Sequence, residues 1–379
     1  VVKSFNLISA VPGYISKLQF SILSLKKRVP IVMSINKIIL FSFISILSLL
    51  SITCKNEVTA VEDNVKPGRR DYVWNVDTLF LPFNSFTDIT GTSPTDVWAC
   101  GPGGDLDKTF YHFYGQSWKS DLISRPFAPI SVSSIGYDNV WSSGRTGMIW
   151  KFNGSQWFQV YKHSVNGNDD ITFERINTIS VSNIFAVGQC FKNQDYSGII
   201  LHYDGTIWSE INIPQIRTAF ADVKKSDNGK IYLWGLTHEQ FTENRYQFYE
   251  LEDNNLKEIY NGSQNTDAEY GSLLQLGNKT YFIIGYDFFS YNGTTFSKIK
   301  RLSDDPKFLN VGWGRNEKDI FIGMRDGVAH YNGENTVFLY QSTENIFVRK
   351  GIVFESEVFF IGRDSNGNNL MIHGKLNEQ

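Results

Sequence analysis

The chain has 379 residues, 41% hydrophobic and 20% charged, which is globular composition with ample material for a core. Its formal net charge is −3. The residues before Cys54 hold six basic side chains and no acid, so the remainder carries an excess of about nine acidic charges, which argues against a phosphate-backbone partner. Aromatic residues make up 15%, and short runs punctuated by Gly favour strands over helices.

Residues 1–32 begin without Met and read as upstream sequence outside the fold. Residues 33–53, "MSINKIILFSFISILSLLSIT", place Lys37 before an uncharged, mostly apolar run from Ile38 to Leu50, and Cys54 follows. This is the layout of a secretory signal peptide. The alternative is an uncleaved membrane anchor, but the run is shorter than the ~20 residues of a spanning helix. The segment resembles a bacterial lipoprotein signal, although Ser51-Ile52-Thr53 departs from the strictest form of that motif. The resemblance implies a lipid on Cys54, a linker over 54–71 and an anchor in the outer membrane of a bacterial cell envelope. Of the other two cysteines, Cys100 and Cys190 fall at different places in their repeats, which does not indicate a disulfide.

From Tyr72 onward three markers recur in step. A turn Gly closes "YHFYG", "WKFNG", "LHYDG", "FSYNG" and "AHYNG", at Gly115, Gly154, Gly205, Gly293 and Gly333. An aromatic followed three residues later by an aliphatic reads "FTDI", "FAPI", "FERI", "FADV", "YGSL" and "FLNV", and a seventh, "FVRKGI" from Phe347, is one residue out of phase. A polar residue leading into a strand reads "DVWACG", "NVWSSG", "NIFAVG", "KIYLWG", "TYFIIG", "DIFIG" and "EVFFIG". Each unit spans ~40–50 residues and four strand-sized runs, the length of a β-propeller blade. The reading is all-β: a seven-bladed β-propeller of four-stranded antiparallel blades over 72–379. The seventh unit ends after its third strand, while "YVWNVDTLF" (Tyr72 to Phe80) precedes the first unit without a blade of its own. The N-terminal strand therefore completes the last blade. Asp-Gly and Asn-Gly between the third and fourth strands predict type I′ turns.

The units "SPTDVWACG" and "ILHYDGTIW" resemble those of secreted and lipid-anchored bacterial propellers, over about Tyr72 to Lys375. The resemblance implies the fold and says nothing of activity. An Asp box is not met, since Asp or Asn lies directly before the Gly.

His112, His202 and His330 stand three before the turn Gly. Equivalent positions in different blades point in different directions around a ring and cannot converge on one ion, so they read as structural partners and no metal or cofactor is expected. His163, His238 and His373 show no ligand spacing. Trp118, Trp157 and Trp208 begin fourth strands and read as packing between blades. No nucleophile elbow, H-E-x-x-H, P-loop or paired-Cys motif occurs, and among many carboxylates none is singled out. The long connections all fall on one face, the side of the second-to-third and fourth-to-first strand loops. Three arginines close second strands there, Arg145, Arg325 and Arg363, and Arg125 and Arg217 lie in the adjoining loops. Such a ring can hold an acidic peptide or an anionic glycan. The expectation is a monomeric binding or scaffolding module for a protein, peptide or glycan, touching membrane through its lipid alone and without nucleic acid. The alternatives are a glycan hydrolase or lyase using loop carboxylates, and a periplasmic assembly factor.

Overall fold

The structure, a computed structural model, describes residues 65–79, 85–101, 108–192, 195–237, 245–263 and 270–378. The proposed signal segment, Cys54 and His238 lie outside them. The regular elements are all strands, from Tyr72–Leu79 to Asn369–Leu376. They group as four-stranded antiparallel meanders over residues 88–119, 129–162, 171–210, 219–263, 271–301 and 308–341, and a last sheet made of three strands over 346–376 with Tyr72–Leu79 as its fourth. These are blades one to seven here. One parallel bridge, Leu276 to Gly314, joins blades five and six.

The second strand of each blade lies between neighbours on both faces, so it reads as a continuous apolar run rather than an alternation. Asp96–Cys100 and Asp319–Met324 are buried at every position. Each apolar cluster draws its members from two adjacent blades, and the clusters close a ring. The core is thus a series of interfaces rather than one central mass.

The last blade takes its outer strand from the chain's beginning. Tyr72–Leu79 pairs antiparallel with Asn369–Leu376, from Tyr72 opposite Leu376 to Leu79 opposite Asn369. This removes the edge a three-stranded blade would expose. The residues leading into that strand add a second tie, to blade six. Gly68 N donates to the Lys318 carbonyl at 2.8 Å. Arg70 donates to His330 Nδ1 at 3.3 Å and to the carbonyls of His330 and Asn335 at 3.0 and 2.6 Å. Tyr72 accepts a bond from Arg315 at 2.9 Å and packs edge-on to Phe321.

Each residue of the recurring His-Tyr-Asp-Gly-x-x-Trp motif has a job in this frame. The histidine pairs with the polar residue that opens the neighbouring strand: His112 with Asp96 at 2.7 Å, His202 with Asn183 at 3.0 Å and His330 with Asp319 at 2.8 Å. It also lies against that strand's aromatic: Trp98, Phe185 or Phe321. His373 belongs to the same series, bonded to Glu357 and stacked on Phe359. In blade two Lys151 takes the place and sits over Trp141. The tyrosine hydroxyls of Tyr203, Tyr291 and Tyr331 donate to the carbonyls of Gly205, Gly293 and Gly333.

The turn itself differs from the two-residue form expected. Tyr203 pairs with Trp208 across a four-residue loop in which Gly205, at φ +98, is left-handed. Asp204 is not; its carboxylate instead accepts the backbone N–H groups of Thr206 and Ile207 at 2.8 and 2.9 Å. The acid or amide is selected as a local cap rather than for αL tolerance. Trp157 then stacks on Phe110 of the preceding blade at 4.1 Å, and Trp208 meets Trp141 at 5.9 Å. Cys100 and Cys190 are free and buried.

Candidate functional site: the long-loop mouth

The innermost strands line the axis, and several carry a bulge just inside the long-loop end. Register slips between Pro129 and Ser131, Phe173 and Arg175, Phe220 and Asp222, and Val348 and Lys350. A bulge re-aims the side chains beside it. Asp88, Arg175, Asp222 and Lys350 form an ionic cluster at this level, and it makes the floor of the mouth. Arg175 Nη1 donates to both oxygens of Asp88 at 2.7 Å. Its Nε lies 3.2 Å from Asp222, near enough for an ion pair but off the hydrogen-bond line. Asp88 also accepts from Ser131 Oγ at 2.6 Å and from the Val132 N–H at 3.0 Å, and Lys350 stands 3.9 Å away. One carboxylate thereby ties blade one to blades two, three and seven.

Burial alone would raise the Asp88 carboxyl, but Arg175, Lys350 and the Ser131 hydroxyl together hold it below the usual carboxylate range. Lys350 is pushed down to about 8, first by burial and then by Arg175. Glu174, on the bulge of blade three, is raised by burial against the pull of Lys350, Arg145 and Arg175. Sequence reasoning singled out none of these residues. Their signal was positional: Asp88, Arg175 and Asp222 each stand two residues after the marker aromatic of their blade.

The five arginines expected at this face divide into two kinds. Arg125 is buried, with its guanidinium taken by Asp121 at 3.0 Å and by the Ile123 carbonyl at 2.9 Å. Arg217 pairs with Asp195 at 2.9 Å and lies over Tyr196. Arg145, Arg325 and Arg363 are exposed, and none has an ion-pair partner among the described residues. Arg145 is presented by a tight turn in which Thr146, at φ +57, and Gly147, at φ +68, are both left-handed. A β-branched residue there is strained.

Two further guanidinium groups without an ion-pair partner among the described residues, Arg245 and Arg349, were not anticipated. Arg349 bears on this site. It lies on the bulge of blade seven, in the stretch "FVRKGI" that ran one residue out of phase. The structure gives the reason for that slip. Phe173 of blade three pairs with Gly188, and the equivalent pairing in blade seven belongs to Val348 with Gly362. Val348 is the buried packing residue, and Phe347, one step earlier, is 40% exposed at the mouth. Arg325 and Arg349 approach its ring at 6.0 and 5.9 Å, and Arg363 is its cross-strand partner.

Two other features set this face apart. Several acids on it are already engaged, Asp169 by Lys162, Asp304 by Arg301 and Asp326 by Lys307. The opposite, short-turn face exposes Asp138, Asp204, Asp227, Asp253, Glu317 and Glu334. Of the connections expected as long loops, "QCFKNQDYSG" is instead largely strand: Asn183–Lys192 and Asp195–Tyr203 extend blade three as a hairpin. Parts of two others, residues 238–244 and 264–269, lie outside the described residues.

No family model matches the chain, and no curated protein matches it. Solved structures do. YCF48 bound to D1 peptide is similar at TM-score 0.57 and 13% identity, covering 83% of this chain and 100% of that one. YCF48 from Cyanidioschyzon merolae is similar at TM-score 0.54 and 13% identity, over 78% and 98%. The WD40 β-propeller domain of Doa1 is similar at TM-score 0.54 and 10% identity, over 80% and 98%. At these identities the likeness is one of fold.

Proposed function

We propose that the chain is a binding module that docks a protein or peptide on the long-loop face of the propeller. The observation that carries this is the gathering of unpaired guanidinium groups at the mouth. Among the other described arginines, Arg69, Arg125, Arg175, Arg217, Arg301 and Arg315 have carboxylate partners, and Arg70 bonds His330 and Asn335. Arg245, exposed where the third strand of blade four leaves the long-loop side, has no ion-pair partner among the described residues, like the mouth arginines. Arg145, Arg325, Arg349 and Arg363 have none among the described residues, and all four open on one mouth. A guanidinium fork grips a carboxylate in two bonds, so free forks around a rigid opening suit an acidic ligand. One protein of similar fold was solved with a peptide bound, which fits this reading. The layout of Ile38–Leu50 and Cys54 supports a lipid tether to a cell envelope, with the propeller presenting its mouth to a partner there.

An array of acidic peptides, neutral peptides and sulfated glycans, probed with the full chain and with R145K/R325K/R363K, tests the proposal. The triple variant keeps the charge and loses the fork. A bound peptide should weaken markedly while the melting point holds. A melting point that falls instead would make these arginines ties between blades.

A further inference from the structure

We infer that Phe347, Arg325, Arg349 and Arg363 form a clamp for an acidic peptide segment that carries an apolar side chain between its carboxylates. This deepens the docking reading above and rests on it. Phe347 has no packing role to account for its place, because Val348 fills the core position of that strand. A single exposed aromatic is ordinary on its own. What surrounds this one is not. Arg325 arrives from blade six, Arg349 from the same strand and Arg363 from the neighbouring strand. Three like charges gathered about one ring repel each other, and each lacks a carboxylate among the described residues.

The chemistry selects the ligand. Guanidinium groups at the ring recognise carboxylates bidentately, and the exposed ring offers an apolar contact that cations on either side polarise. In an extended peptide successive side chains alternate faces, so carboxylates at i and i+4 share one face with an apolar side chain at i+2, at steps of about 6.6–7 Å, the scale of the guanidinium groups that stand 6.0 and 5.9 Å from the Phe347 ring. A polysulfated glycan would match a row of cations, but its hydrated, sulfate-bearing rings offer the Phe347 ring less apolar surface than a hydrophobic side chain does. Aromatic and arginine side chains are also the types that dominate binding energy at interfaces.

The test uses the full chain and a fluorescently labelled, end-capped peptide repeating Glu-Ser-Phe-Ser, which sets Glu and Phe in turn on one face, with a Gln-for-Glu counterpart and a heparin-derived oligosaccharide. Titrations are run by anisotropy on the wild type, Phe347→Ala, R325Q/R349Q/R363Q and Arg145→Gln, each with its melting point. The Glu peptide should bind at least tenfold tighter than the Gln peptide. Phe347→Ala should weaken it about tenfold and the triple variant about a hundredfold, with melting points held. Wild-type affinity in Phe347→Ala, tighter binding of the oligosaccharide, or no binding of the Glu peptide would each overturn the clamp. Binding that depends on Arg145 but not on Phe347 would overturn the clamp and leave the docking face standing. Binding unchanged in every variant would remove both.

Discussion

Replacing Asp88 with Ala probes the ionic floor of the mouth. Asp88 is 3% exposed and accepts two bonds from Arg175, one from Ser131 and one from the Val132 N–H. Without it Arg175 keeps only Asp222, and the Ser131 hydroxyl and Val132 N–H lose their acceptor. Breaking a buried pair from one side costs about 3–5 kcal/mol. At ~2–4 °C per kcal/mol for a domain of this order, Tm should fall by about 6–20 °C. Asp222→Ala should cost less, because Asp222 is more exposed and meets Arg175 only at 3.2 Å. Thermal and urea unfolding followed by circular dichroism measure both. Replacing Asp88 and Arg175 together by apolar residues should recover part of the loss, since the penalty comes from the stranded charge. A loss for Asp88→Ala within ~1 kcal/mol of wild type, an ordinary surface value, would refute the assignment of Asp88 as the tie between four blades.

Three further outcomes follow from the same geometry. Lys350 titrates near 8 in the fold and at 10.5 ordinarily, so the unfolded chain binds more protons between those values. Wild-type stability should therefore gain relative to Lys350→Met as pH rises from 8 to about 10.5. A pH-independent difference in Tm would contradict that burial. Burial lowers the His330 pKa, and Arg70 donating to Nδ1 requires the neutral ring, so stability should fall as pH drops below the ordinary value of 6.5. Asp319, held low by His330 and Arg315 against burial, adds a further loss at more acid pH. His330→Gln should flatten the first of these steps at a cost of ~0.5–3 kcal/mol, and an unchanged acid profile would count against the neutral assignment. Removing the chain up to Leu79 should lower Tm far more than losing a tail, because it strips the outer strand of blade seven and takes Tyr72 from Arg315 and Arg70 from His330. Equal melting of the shortened chain would mean the ring is held without its N-terminal strand.

The frame was legible because each blade repeats the same packing problem. Strand pattern, turn Gly and the missing fourth strand of the last unit are periodic, and period survives in sequence. The histidines were legible as structural for the same reason, though His373 was missed because blade seven has no turn Gly to count from. The turn type was misjudged because Asp-Gly alone does not distinguish αL tolerance from side-chain capping. The ionic floor was not legible. Asp88, Arg175, Asp222 and Lys350 are ordinary charges until the ring brings their equivalent positions together. The clamp was half legible: "FVRKGI" showed a slip of one residue, but only the pairing of Val348 with Gly362 shows what the slip exposes.

The docking face is tested most directly by hydrogen–deuterium exchange of the full chain with and without the Glu-Ser-Phe-Ser peptide. The account predicts slowed exchange at residues 144–148, 323–327 and 346–350, on the long-loop side, with the turns at Gly115, Gly154, Gly205, Gly293 and Gly333 unchanged. Protection of those turns, with the long-loop side unaltered, would contradict it.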